Sequence, residues 1–225
     1  MEKSKLKLLL NAEPFGFGPT ASIATFFPYL RERFEYLGYL GKNHTLDLQK
    51  DLPYDAIHDV SHVSDEEIKK ILSEYDLFLT ALDFETAILA KSVGCKVIIY
   101  DSLTWYWKHI PEIVRQSDLY LTQDFFGVKE RLRSEPALFP QATQVLPPTV
   151  SQKRPRVSAK YILVNLGGLQ NPFWSVEDVS HYAQIFIQTI KECIPSGENL
   201  IIATSNAIAT KLGDPIVRNY SRVEM

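Results

Sequence analysis

Residues 76–101, DLFLTALDFETAILAKSVGCKVIIYD, contain the pattern that decides the fold. Two short apolar runs, 76–82 and 95–101, flank a segment with helical spacing at 84–92, and Gly94 is placed to end that helix. Apolar runs of this length are typical of parallel strands that are buried on both faces. The stretch therefore predicts a strand–helix–strand unit of an α/β protein.

The same rhythm extends in both directions from this unit. Further apolar runs lie at 6–11, 34–40, 54–60 and 118–122. Helical patterns lie between them, at 20–33, 64–72, 110–116 and 128–133. Strands and helices that alternate for this long predict a Rossmann-like, doubly wound parallel sheet.

The stretch 135–156 interrupts this rhythm and contains five prolines. We predict a linker there, and a long loop inside one domain is the alternative. Beyond it, strands are predicted at 161–165, 200–204 and 216–223, with helices at 175–193 and 206–212. The predicted domains are thus 1–150 and 151–225. The second is expected to be truncated, because a typical domain has about 100–150 residues.

Composition excludes several function classes. The 225 residues carry 24 Lys and Arg against 27 Asp and Glu, a net charge of −3, which argues against a dedicated nucleic-acid-binding protein. The two cysteines, Cys95 and Cys193, are too few for a disulfide scaffold or a four-cysteine zinc site and suit a reducing compartment. Since no apolar run approaches the length of a membrane span, we expect a cytoplasmic location.

The first candidate binding segment is residues 13–20, EPFGFGPT, which follows the first predicted strand and begins a helix. Gly16 and Gly18 would permit a tight turn and a close ligand approach, and Thr20 adds a hydroxyl at the helix N-terminus. The segment lacks the third glycine of a dinucleotide fingerprint and the lysine of a phosphate-binding P-loop, so both are rejected. A simple turn with a helix cap is the alternative.

The second candidate segment is residues 101–107, DSLTWYW, at the carboxyl end of the strand 95–101. Ligands of open α/β sheets bind beyond such strand ends, and the carboxylate, hydroxyls and aromatic rings could hold a polar ring or a sugar. The aromatic residues could instead cover the sheet at a domain interface. Asp83 and Asp124 occupy similar strand-end positions, where a carboxylate acts as a general base or, more commonly, as a cap or turn residue.

Two weaker signals complete the set. Gly167 and Gly168, in the stretch NLGGLQN at 165–171, would let a phosphate or a second domain approach the backbone, or would simply form a tight turn. His44 could reach a cleft after the second strand. His58 and His62 have the helical spacing of metal ligands but straddle a predicted strand and loop, so no metal site is expected.

Taken together, the segments 15–20, 147–156 and 161–168 resemble those of two-domain glycosyltransferases with the GT-B fold. The resemblance is to the UDP-sugar-dependent branch, which includes the transferase that adds N-acetylglucosamine in peptidoglycan assembly. Residues 101–107 with Gln123, Asp124 and Phe125 resemble a narrower group, the cytosylglucuronate synthase-like glycosyltransferases.

The resemblance implies transfer of a sugar from a UDP donor to a small-molecule acceptor such as a nucleobase, with no metal and no cofactor beyond the UDP-sugar. It implies Asp101, His44 or Asp124 as the catalytic base. The substrate-binding residues implied are Gly16, Phe17, Gly18, Thr20, Ser102, Trp105, Gly167 and Gly168. Residues that hold the donor nucleotide would lie beyond Met225.

Two alternatives stay open. The chain could be a non-catalytic acceptor half that pairs with a separate donor-half chain, or with a second copy of itself. It could also be a sugar-phosphate epimerase with a similar two-domain fold, which the short second half disfavours.

Overall fold

The computed structural model describes residues 3–149, 162–166, 175–193 and 200–203. The chain divides into two compact units, formed by residues 1–14 with 18–151 and by residues 15–17 with 152–225.

The first unit contains a seven-stranded sheet in which every neighbouring pair is parallel. Its strand order is β3-β2-β1-β4-β5-β6-β7. The strands are β1 (Ser4–Ala12), β2 (Phe34–Gly41), β3 (Ala56–Asp59), β4 (Leu77–Ala81), β5 (Lys96–Asp101), β6 (Leu119–Gln123) and β7 (Thr143–Leu146). This architecture confirms the predicted Rossmann-like fold class.

Five α-helices connect these strands. They are α1 (Gly18–Arg31), α2 (Asp65–Leu72), α3 (Phe84–Ser92), α4 (Glu112–Gln116) and α5 (Val128–Ser134), with short 3-10 helices at Asn43–Leu46 and Pro136–Leu138. The predicted start of α2 is confirmed, because the Glu67 carboxylate accepts hydrogen bonds from the Ser64 N–H at 3.2 Å and its hydroxyl at 2.8 Å. Gly94 follows α3 with a φ of +88°, as expected for a glycine that ends a helix.

The central strand β1 is buried on both faces, which explains its continuous apolar run. Leu8 and Leu10 pack on one face of the sheet with Phe27 of α1. Leu9 points to the opposite face, where it packs with Leu72 at the end of α2. Each fully buried leucine contributes about 2 kcal/mol through the hydrophobic effect, so neither face tolerates a polar substitution.

The strand order places a topological switch point beside β1. Strands β2 and β3 lie on one side of β1, and β4 to β7 lie on the other. The connections after β1 and β3 therefore run in opposite directions and leave a crevice at the carboxyl ends of β1 and β4. Open α/β sheets bind their ligands in this crevice.

One prediction about the first unit was wrong. The stretch 135–156 was predicted to be a linker, but its described part, 135–149, contributes the 3-10 helix Pro136–Leu138 and the seventh strand β7, and residues 150–156 lie outside the described residues. β7 pairs only with β6 at the edge of the sheet, and none of its side chains is fully buried. A four-residue edge strand needs no apolar run, so the prolines around it concealed it.

The second unit is a strand–helix–strand arrangement in its described part. β8 (Ile162–Asn165) and β9 (Leu200–Ala203) pair in parallel, and α6 (Val176–Cys193) lies between them in the chain. Its core contains Val164, Leu166, Val179, Ala183, Ile187 and Ile202. The elements predicted at 206–212 and 216–223 lie outside the described residues. None of the helices in the described ranges is long and apolar enough to span a bilayer.

Candidate active site

Fully buried polar side chains connect the strands beneath the switch point. The Thr80 hydroxyl donates a hydrogen bond to Asn11 Oδ1 at 2.6 Å, and the Asn11 amide donates to the Leu40 carbonyl at 3.1 Å. The Asp83 N–H donates to Thr80 Oγ1 at 3.2 Å. These bonds tie β1, β2 and β4 together near their carboxyl ends, so residues just beyond those ends have fixed positions.

Three charged residues follow these strand ends and form what we call the charged cluster: Glu13, Lys42 and Asp83. Glu13 comes directly after β1, and its N–H donates to the carbonyl of Ala81 in β4 at 2.9 Å. Lys42 comes directly after β2, and its Nζ lies 4.0 Å from Asp83 Oδ2. The positive charge of Lys42 acts on both Asp83 and Glu13, so it offsets part of the repulsion between these two carboxylates.

Asp83 is held in this cluster by the start of α3. It is 1% exposed and accepts hydrogen bonds from the Thr86 N–H at 2.9 Å and the Thr86 hydroxyl at 2.7 Å. The predicted alternative, a helix-capping aspartate, is therefore what the geometry shows. Because its carboxylate oxygens are occupied by the hydrogen bonds to Thr86, Asp83 affects the other members of the charged cluster through its negative charge.

Glu13 is the titratable group of the cluster. Burial, which has the largest effect, and the negative charges of Asp83 and Glu85 together raise the pKa of Glu13 from 4.5 to about 7, against the opposing effect of the positive charge of Lys42. A carboxyl group with this pKa exchanges its proton near neutral pH, which is the property required of a general base or acid.

Backbone strain also concentrates here. Leu82, which precedes Asp83, has a φ of +70°, and Asn43, which follows Lys42, has a φ of +51°. A positive φ is costly for a bulky residue such as leucine and less so for asparagine, and backbone strain of this kind clusters at functional sites. Both strained residues adjoin members of the charged cluster.

The predicted residues of the 13–20 segment have different environments. Gly16 is buried and has a φ of +62°, which favours glycine. Gly18 is exposed, and a Cβ there would meet no atom within 4 Å. Thr20 is fully buried, where its hydroxyl donates to the Thr45 carbonyl at 2.9 Å and accepts from Gln49 Nε2 at 2.8 Å. The geometry of Thr20 is that of a structural contact and does not favour substrate binding.

Asp101 is also fully buried. Its carboxylate accepts hydrogen bonds from the Leu103 N–H at 2.6 Å, the Tyr120 hydroxyl at 2.7 Å and Trp107 Nε1 at 2.9 Å. Burial raises the pKa of Asp101 although these donors favour its ionised form. Because its carboxylate oxygens already accept three hydrogen bonds from within the protein, the geometry favours a role for Asp101 in fixing the loop 102–107 over the predicted role as catalytic base.

Four of the other predicted residues, His44, Ser102, Trp105 and Asp124, follow the carboxyl ends of β2, β5 and β6. Asp124 follows β6 and pairs with Lys129 Nζ at 2.7 Å, where both side chains are partly exposed. His44 is half-buried in the 3-10 helix after β2, and Ser102 is half-buried after β5. Phe17 is half-buried, and Trp105 is 45% exposed. Gly167 and Gly168 lie outside the described residues. The roles of these residues stay predictions.

No group of three or more His, Cys, Asp or Glu within the described ranges could hold a metal ion. His58, one of the two histidines with metal-ligand spacing, instead bonds the Tyr75 hydroxyl through Nε2 at 2.8 Å. Burial lowers the pKa of His58.

Sequence reasoning identified Asp83 but missed Glu13 and Lys42. A signal was present, because each lies two residues after the end of a predicted strand, and the observed strands β1 and β2 end directly before them. Charged residues at such positions are common, however, and only the folded arrangement shows that these two share an environment with Asp83.

No family model matches the chain, and no curated protein matches it. The UDP-GlcNAc 2-epimerase from Methanocaldococcus jannaschii has a similar structure, with a TM-score of 0.54 at 13% identity over 96% of this chain and 72% of that one. This likeness shows a shared fold. MurG of Acinetobacter baumannii has a TM-score of 0.48 at 11% identity, over 97% and 69% of the two chains. UGT89C1 of Arabidopsis thaliana, complexed with UDP-L-rhamnose, has a TM-score of 0.49 at 12% identity, over 91% and 66%.

Proposed function

We propose that this protein is a glycosyltransferase-like enzyme that transfers a sugar from a UDP donor to a small-molecule acceptor, with Glu13 as the general base. The observation that carries the proposal is a carboxyl group with a pKa of about 7 at the switch point of the sheet, where this fold binds ligands. The fold shared with an enzyme named for a UDP-sugar supports the choice of donor.

In the proposed step, the acceptor hydroxyl or ring nitrogen loses its proton to the Glu13 carboxylate. The freed electron pair of the acceptor forms a bond to the anomeric carbon of the sugar. The bond from that carbon to the β-phosphate oxygen breaks, and UDP leaves with its electron pair. Lys42 stabilises the ionised form of Glu13 and Asp83 stabilises the protonated form, so the site holds and releases a proton at neutral pH.

The finer features of the proposal follow from the sequence resemblance. The acceptor is a nucleobase or a related metabolite, and the sugar is a hexose or a glucuronate. His44 is the alternative base. Asp101 and Asp124 are less suitable, since the first is saturated by internal donors and the second is paired at the surface.

Epimerisation of a UDP-sugar is the second candidate function, favoured by the fold shared with the UDP-GlcNAc 2-epimerase. The two reactions differ in one requirement that can be measured. Transfer consumes an acceptor and releases UDP, whereas epimerisation changes the sugar with no acceptor present.

The test incubates the full chain with UDP-glucose, UDP-N-acetylglucosamine or UDP-glucuronate, with and without an acceptor mixture that contains cytosine, and measures products by mass spectrometry. We expect UDP release that depends on the acceptor, reduced at least about 100-fold in Glu13→Gln because a general base contributes that much. Glu130→Gln, the same change at an exposed position of α5, is the matched control. Conversion of the sugar without an acceptor would favour the epimerase, and full activity of Glu13→Gln would refute the assigned base.

A further inference from the structure

A group of exposed aromatic side chains lies at the carboxyl ends of β5 and β6. We call it the aromatic platform and define it as Trp105, Tyr106, Phe125 and Phe126. The exposed fractions of these side chains are 45%, 65%, 50% and 91%. The Trp105 and Phe125 rings are 5.1 Å apart between centroids and are inclined by 34°, so residues from two loops share one surface.

The platform is unusual for a protein surface. Exposed apolar residues are normally scattered, and a contiguous patch usually marks a recognition site. Tryptophan, tyrosine and phenylalanine are enriched in such sites because they offer a large contact area with few rotatable bonds.

Buried polar groups hold the platform in place from below. Thr104, between Asp101 and Trp105, is fully buried, and its hydroxyl is hydrogen-bonded to that of Tyr120 at 2.7 Å and that of Thr122 at 2.6 Å. Arg131 donates to the Thr104 carbonyl at 2.8 Å and also to the Trp107 carbonyl. The Asp101 carboxylate and the Arg131 guanidinium are costly to desolvate. Both form hydrogen bonds that stabilise the loop 102–107, which carries the platform residues Trp105 and Tyr106. The backbone of the loop 102–107 is therefore fixed before a ligand binds, which reduces the entropic cost of binding.

Ring contacts join the platform to the charged cluster. Phe84, the residue after Asp83, contacts the Trp107 ring at 5.9 Å between centroids, and Trp107 contacts Tyr106 at 5.7 Å. Strands in a sheet are about 4.8 Å apart, which places the ends of β5 and β6 about 10 and 15 Å from that of β1. A molecule of two or three rings would span this distance.

We propose that the aromatic platform binds a non-reacting ring of the acceptor by stacking, with that ring about 10 Å from the atom that receives the sugar. The acceptor is thus an elongated molecule with a terminal ring that has an apolar face. Aromatic rings and saccharide rings both present such a face. The role of this ligand as an acceptor rests on the proposed function, but the stacking does not.

The test measures binding to the full chain by ligand-observed nuclear magnetic resonance, with two probes that separate the two ring types. The probes are 4-methylumbelliferone, a planar aromatic compound, and cellobiose, a disaccharide. We expect at least one probe to bind, and Tyr106→Ala and Phe126→Ala each to weaken its affinity about five- to hundredfold, the range for loss of one stacked ring. Both side chains are largely exposed, so these variants are expected to fold.

Tyr29→Ala provides the matched control, because Tyr29 is 54% exposed on α1. The proposal is overturned if neither probe binds up to its solubility limit, or if the control weakens binding as much as the platform variants. It is also overturned if the chain is a dimer that dissociates in the platform variants, since the platform would then cover a second copy. Probe binding that depends on the platform without any sugar transfer would refute the proposed function alone.

Discussion

The pKa of Glu13 makes a prediction that needs no knowledge of the substrate. A carboxyl whose pKa rises from 4.5 when unfolded to about 7 when folded binds more protons in the folded state between these values. The free energy of unfolding therefore falls as pH rises through this window, because the folded state must then hold an unfavourable charge. A shift of about 2.5 units corresponds to at most about 3.4 kcal/mol. Solvent screening at this half-buried group reduces it to about 1–2 kcal/mol.

Glu13→Gln removes this charge and its penalty. We expect the variant to gain about 1–2 kcal/mol in unfolding free energy relative to the wild type when the pH changes from 5 to 8. Urea unfolding at both pH values, followed by circular dichroism, measures the difference. Glu130→Gln controls for the loss of one carboxylate as such. A difference between variant and wild type that is the same at both pH values, or that changes in the opposite direction, would refute the assigned environment of Glu13.

Three further predictions concern residues around this site. Asp101→Asn places an amide against the donors of the loop and should lower the free energy of unfolding by about 2–4 kcal/mol in urea titrations; wild-type stability would contradict its positioning role. Gly38→Ala should lower the free energy of unfolding by about 1–3 kcal/mol, because a Cβ there would overlap the buried Tyr75 side chain at its hydroxyl oxygen. Gly18→Ala should leave the free energy of unfolding almost unchanged, because a Cβ there would enter open space. Asp83→Ala should lower the Tm through a loss of about 1 kcal/mol and should also lower the pKa of Glu13, so the same pH series must show a smaller effect.

How far the sequence predicts this fold depends on where each strand lies in the sheet. β1, β4 and β5 are covered on both faces, so burial demands continuous apolar runs that are visible in the sequence. In the described structure β7 pairs along one edge only, with β6. Polar residues such as Thr143 and Gln144 can form these backbone hydrogen bonds, so no continuous apolar run marks the strand in the sequence. The prolines nearby then indicate a linker where a strand exists.

The site was harder to predict than the fold because its chemistry depends on contacts between distant residues. The rule that ligands bind at strand ends predicted the edge of the sheet at which the charged cluster lies and identified Asp83. The pKa of Glu13, however, depends first on its burial and then on the charges of Asp83 and Lys42, and only the folded sheet creates this environment. The prediction of Asp101 as a base rested on its strand-end position, because its hydrogen bonds from Trp107 and Tyr120 cannot be read from the sequence.

The strand order also has a consequence for the order of events in folding. Leu8 of β1 pairs with Leu77 of β4, which lies far along the chain, whereas Leu77 pairs with nearby Lys96 of β5. Closing loops of about 70 and about 20 residues differs by roughly 1 kcal/mol in chain entropy. The parallel unit β4–α3–β5 therefore closes at a lower entropic cost than the pairing of β1 with β4, so the switch point and Glu13 depend on the costlier of these two closures.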